Sequence, residues 1–150
     1  MSERRVRSRF RLGGAGVALL LAGSGPGFGQ DVEAGPSLGL ELNSASESEN
    51  ACRLTFLVSN ELGIDVASLV LEIVVFKASG GLDRLTLFDF QEIPAGRPRV
   101  RQFDVSDVPC GDIGSVLVNG VDACDGAGLD TSSCLDALTL SSRTGIDMLG

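Results

Sequence analysis

The chain has 150 residues, with 12 basic and 20 acidic side chains, a formal net charge of −8, and no histidine, tryptophan or tyrosine. That length holds one domain plus a targeting segment. The missing histidine excludes Ser-His-Asp and Cys-His nucleophiles, imidazole-ligated zinc or copper, and imidazole acid–base chemistry. The acid excess argues against nucleic acid and anionic lipid as partners.

Arg4, Arg5, Arg7, Arg9 and Arg11 form a basic stretch, followed by a short apolar one from Leu12 to Ala22. Gly27-Phe28-Gly29 then has the small-x-small pattern of a signal-peptidase site, so residues 1–29 are expected to be a cleavable signal peptide. The apolar stretch is too short for a stable transmembrane helix and no second one follows, so no membrane span is expected after cleavage. Arg4-Arg5 also suits twin-arginine export, although Glu3 and Arg7 stand where that signal prefers a hydroxyl and an apolar residue. The route stays open between that and general secretion. No cysteine ends the apolar stretch, which argues against a lipoprotein anchor. Without the leader, 19 acids face seven bases, a net charge of about −12.

Residues 30–36 form a loose lead-in containing Gly35 and Pro36. Ser37 to Leu42 alternates apolar and polar with period two, the pattern of a half-buried strand, and Ser44 to Asn50 follows as a solvated acidic turn. Cys52 to Ser59 repeats the alternation, with Leu54, Phe56 and Val58 on one face, and Asn60 to Asp65 makes the next connection. Leu69-Val70-Leu71-Glu72-Ile73-Val74-Val75-Phe76 is apolar on both faces and predicts a central strand covered on both sides, or nearly so. Ser79-Gly80-Gly81 turns the chain into Arg84 to Phe90, where the apolar phase slips between Leu85/Leu87 and Phe88/Phe90. A bulge, or partial cover on both faces, accounts for the slip.

After the Ile93-Pro94-Ala95-Gly96 turn, the charged segment Arg99 to Val105 has the character of an edge strand. Ser115 to Val118 leads to Asn119-Gly120, either a hairpin turn or a kink in one strand reaching Ala123. Asp125 to Asp130 is a Gly-rich acidic loop, and Thr131-Ser132-Ser133 caps a helical turn through Ala137. Leu138 to Ser141 is a last strand, with Ile146 and Met148 tucking the tail back onto the sheet. Some seven short strands without heptads or strand–helix alternation predict an all-β, antiparallel β-sandwich over residues 37–150.

Cys52, Cys110, Cys124 and Cys134 all follow the leader and lack Cys-x-x-Cys spacing, so two structural disulfides are expected. With strands running up and down, Cys52 starts at the end where the 99–105 strand finishes. That pairs Cys52 with Cys110 and leaves Cys124 with Cys134. A hairpin turn at Asn119-Gly120 would instead return Cys124 to the first end, within reach of Cys52 or Cys110.

Little else carries chemistry, and no cofactor, metal or catalytic residue is expected. Asp122, Asp125 and Asp130 bracket a Gly-rich loop but lack calcium-loop spacing, and read as turn formers. Asp104 and Asp107 are a carboxylate pair in a chain where close acids are common. Arg97, Arg99 and Arg101 share one strand face as the single basic cluster of the exported part, suited to edge protection or to a strip for an anionic partner.

Val58-Ser59-Asn60, the apolar run ending Val75-Phe76-Lys77 with Gly80 in the turn, and Ile93-Pro94-Ala95-Gly96 leading to Phe103 resemble the immunoglobulin-like sandwich of bacterial exported FxLYD-type domains. The resemblance covers roughly residues 38 to 105. The name-giving Phe-x-Leu-Tyr-Asp segment is missing and the four cysteines are extra. The leader and acidic, cysteine-containing domain also resemble exported proteins of alphaproteobacteria. These resemblances imply an immunoglobulin-like fold and a periplasmic or secreted location, and bring no activity. The function expected is a non-enzymatic binding or accessory module of the cell envelope with a protein partner. The alternatives are a carboxylate-dependent hydrolase and a self-associating envelope protein.

Overall fold

The computed structural model describes residues 35–150; the expected signal peptide and the start of the lead-in lie outside them. The fold is an all-β sandwich of two four-stranded sheets. In chain order the elements are β1 (Leu38–Ser48), β2 (Ala51–Asn60), β3 (Val66–Lys77), β4 (Leu82–Ile93), β5 (Arg99–Ser106), β6 (Ile113–Gly126), α1 (Thr131–Ala137), β7 (Leu138–Ser142) and β8 (Asp147–Leu149). One sheet has the order β5-β2-β1-β7 and the other β4-β3-β6-β8.

Period-two alternation explains the layering. Leu38, Leu40 and Leu42 of β1 and Leu54, Phe56 and Val58 of β2 turn inward, opposed by Leu69, Leu71, Ile73 and Val75 of β3, and all are fully buried or nearly so. Phe56, Phe88, Phe90 and Phe103 cluster between the sheets, with Phe88 stacked on Phe103 at 4.1 Å and the other pairs edge to face. Burying four aromatic rings supplies a large share of the apolar driving force.

The strand count is eight, and the sandwich is not wholly antiparallel. β7 runs parallel to β1 and β8 parallel to β6. α1 and the turn before Ile146 carry the tail from one sheet to the other, so its two short strands each add to an edge in the remaining direction. The solvated turn expected at Ser44 to Asn50 is a strand as far as Ser48, with a bulge near Asn43 and a tight Glu49-Asn50 connection. Its polar side chains lie beyond the core, but its backbone still gains ladder partners from β2.

Asn119-Gly120 is not a hairpin turn. β6 is continuous, and Asn119 and Asp122 are the residues left over where its register against β3 shifts. The register of β4 against β3 is regular from Leu85 to Asp89, so its phase slip is a strand apolar on both faces, with Leu85 and Leu87 outward and Phe88 inward; a bulge follows, where Phe90 is extra and Gln91 adopts φ +58°. α1 is capped by Asp130 rather than by the hydroxyl run alone. The Asp130 carboxylate accepts from the Ser133 amide at 2.7 Å and Ser133 Oγ accepts from the Asp130 amide at 2.9 Å.

Cys52 is bonded to Cys110 and Cys124 to Cys134. β2 and β5 are antiparallel neighbours with Cys52 opposite Val105, which brings the start of β2 to the segment that follows β5. The unbroken course of β6 carries Cys124 away from that end to meet α1. Two disulfides suit an oxidising compartment. Among the described residues, no helix is long and apolar enough to cross a membrane.

Candidate functional site

β3 lies second in its sheet, between β4 and β6, so both its edges are paired while its faces meet different surroundings. Leu69, Leu71, Ile73 and Val75 face the other sheet, which places Val70, Glu72, Val74 and Phe76 on the outer face. The register sets their neighbours. Val74 is paired with Leu85 of β4 and Leu117 of β6, and Leu117 with Leu149 of β8. The outer face therefore carries an apolar row across all four strands, Leu85-Val74-Leu117-Leu149. Phe76 and Leu82 lie beside it on one flank, and Leu87 beside Glu72 on the other.

Four of the leucines on this face are exposed. Leu82, Leu85, Leu87 and Leu149 are 59%, 56%, 50% and 44% exposed. Val74, in the middle, is 5% exposed and yet lies outside the core cluster between the sheets. With strands about 4.8 Å apart, the row is roughly 14 Å long. Contiguous apolar surface of this kind on a soluble domain marks a contact site more often than isolated exposed leucines do.

The outer face of the other sheet is built differently. Arg53 donates two hydrogen bonds to Asp104, at 2.7 and 2.8 Å, Gln102 donates to Thr55, and Arg143 donates to Glu41. Leu57 and Val100 form its one apolar cross-strand pair. Among the described residues, only the β4-β3-β6-β8 face offers an apolar row that crosses a whole sheet.

The acids around the apolar row are Glu72, Asp89 and Asp147, placed by their partners Leu87, Val70 and Ser115 on the same face. Glu72 accepts a hydrogen bond from Asn119. No residue in these outer-face registers is basic. Lys77 pairs with core Ile113, and Arg84 with core Val75, where it donates to the Ser106 carbonyl.

The basic cluster singled out in the sequence lies elsewhere. Arg99 and Arg101 of β5 are paired with Val58 and Phe56, so they point toward the gap between the sheets rather than away from them. Arg101 donates to the β4 carbonyls of Phe90 and Glu92, at 2.8 and 3.1 Å, tying the two edge strands together. Arg99 donates to the neighbouring Pro98 carbonyl, and Arg97 lies exposed before the strand. β5 is an edge strand, and inward-pointing arginines at an edge obstruct further strand pairing.

The acids considered for chemistry are also occupied. The hydrogen bond and charge of Arg53 hold the Asp104 carboxyl below its ordinary value of 3.8, opposite to the raised value a glycosidic acid needs. Asp130 is lowered from the same ordinary value by the Ser133 amide and the Ser132 and Ser133 hydroxyls. Asp107 sits in a turn at φ +59°, and Asp122 and Asp125 lie exposed on β6. Among the described residues, no group of three or more acids or cysteines is placed to hold a metal ion.

These depressed carboxyls, with Glu41, which hydrogen bonds from Asn43 and Arg143 lower in the same way, give pH dependence of one sign. The folded value lies below the unfolded one, so their contribution is complete above about pH 4 and is lost as pH falls through the folded values. The expected result is a melting temperature that falls below pH 4, with a shallower fall in an Asp104→Asn/Asp130→Asn variant. An unchanged slope in that variant would count against this assignment.

The candidate site is the outer face of one sheet of a disulfide-bonded all-β sandwich, marked by its apolar row. Compared with protein families, curated proteins and solved structures, the chain matches none.

Proposed function

We propose that the protein is an exported, non-enzymatic binding module of the cell envelope, periplasmic or secreted, that presents the outer face of the β4-β3-β6-β8 sheet to a protein partner. The observation that carries this reading is the row Leu85-Val74-Leu117-Leu149, apolar on every strand of one sheet while the opposite face is mostly covered by polar pairs. Association is driven by removing such area from water, and this is the surface where a partner gains most. The basic n-region, short apolar stretch and small-x-small site support export, as do the two disulfides.

The order β5-β2-β1 against β4-β3-β6 supports an immunoglobulin-like reading of the sandwich, and the parallel β8 departs from it. The FxLYD-type resemblance draws support from Asn60, whose side chain bonds the Ile93 carbonyl and whose own carbonyl bonds the Gly96 amide at the end of β2. The hydrolase reading is weaker because Asp104 is held ionised by Arg53.

A photo-crosslinking phenylalanine analogue at Leu85, and separately at Thr55 on the polar face, tests the reading in cells that express the protein. The expected result is a discrete adduct with another protein from position 85 and none from position 55. Equal labelling from both positions, or none from position 85, would overturn it. A homodimer adduct would move the assignment to the self-associating reading.

A further inference from the structure

Resting on that binding reading, we infer that the partner presents a basic amphipathic helix, an apolar stripe flanked by lysine or arginine. The surface fixes both halves of this description. The apolar row is about 14 Å long, the length of roughly ten helical residues at 1.5 Å each. A helix laid along it would place leucine-sized side chains over Leu85, Val74, Leu117 and Leu149, with Phe76 and Leu82 widening the contact on one side.

Among the described residues, every charge in the outer-face registers is negative. Asp147 lies on the flank that holds Phe76 and Leu82, whereas Glu72 and, one register further, Asp89 lie on the other. A helix centred on the row meets acid on both sides, which a lysine or arginine flank complements and an acidic flank opposes. The same arithmetic disfavours a second copy. Facing copies would set Glu72, Asp89 and Asp147 against their own equivalents, on bodies that carry about −12 each after the leader. An anionic lipid surface meets the same repulsion.

The probe is a synthetic 14-residue leucine/lysine amphipathic helix, with its leucine/glutamate counterpart and a scrambled leucine/lysine peptide as controls, titrated against the purified full chain by fluorescence anisotropy. The leucine/lysine helix is expected to bind at least tenfold tighter than either control. Leu85→Ser/Leu149→Ser should weaken it about tenfold, and both positions are exposed enough for the fold to be retained. Glu72→Gln/Asp89→Asn/Asp147→Asn should weaken it several-fold and flatten its salt dependence.

Equal binding of the scrambled peptide, or binding unchanged by the leucine variant, would reduce the effect to diffuse attraction by an acidic protein and overturn the inference. Preference for the leucine/glutamate helix would overturn it too. A Leu85 adduct in cells together with failure of the leucine/lysine helix removes this inference alone. Absence of that adduct removes the binding reading itself.

Discussion

Asn60→Asp is expected to destabilise the fold by about 3–5 kcal/mol at neutral pH, a large part of what holds a domain of this size together. Asn60 is the one fully buried polar residue among those described. Its Nδ2 donates to the carbonyls of Ile64 at 2.9 Å and Ile93 at 2.7 Å, and its Oδ1 accepts from the Leu62 amide at 3.0 Å. The Asn60 carbonyl accepts from the Gly96 amide, so one residue joins the end of β2, the 61–65 loop and the turn after β4. A carboxylate keeps the single acceptor role and faces two carbonyl oxygens with negative charge in a dry site.

Burial raises the folded-state pKa of such a carboxyl above its unfolded value of about 3.9. The deficit is therefore smallest below pH 4 and grows with pH until the folded value is passed, and the protonated acid can still donate to one carbonyl. Urea midpoints of wild type and variant should lie much closer at pH 4 than at pH 7. Asn60→Leu should cost a similar amount at both. A variant with the wild-type midpoint at pH 7 would sink the idea that these three bonds tie the loops.

The sandwich is legible in the sequence because its strands obey period two, and the departures have specific causes. The run Leu69 to Phe76 is apolar on both sides, and a strand with two apolar faces reads as doubly covered. Among the described residues, the core cluster takes in only the inner one. The outer residues are the site, and a single strand does not reveal that. Its row joins positions 74, 85, 117 and 149, brought together by register across three strand pairs. No local pattern contains that information.

Parity along the strands carries two further signals. Asn60 falls in phase with Leu54, Phe56 and Val58, so alternation alone marks it as inward-facing. Arg99 and Arg101 fall in phase with Phe103 and Val105, which marks them as inward too, at an edge. The parallel pairings of β7 and β8 have no such signature. Strands of five and three residues hold too few alternations to mark their partner or direction.

Removing the Cys52–Cys110 bond should cost about 4 kcal/mol, and removing Cys124–Cys134 about 3, in the chain-entropy account of cross-linking. The difference follows from sequence separations of 58 and 10. The longer loop encloses β2 through β5, so it restrains strands from both sheets in the unfolded chain. The shorter one ties α1 to β6 and restrains only the loop between them. Both bonds are shielded, with Cys52 and Cys134 fully buried. For a domain of this length, 4 kcal/mol corresponds to a melting temperature lower by roughly 15–20 °C. Cys52→Ala/Cys110→Ala should therefore melt well below wild type, and Cys124→Ala/Cys134→Ala between the two. In the latter, α1 should exchange its amide protons faster while the sheets keep their protection. The opposite order of melting would mean that the local staple, not the long loop, governs stability. The sandwich would then depend on α1 holding the end of β6 in place.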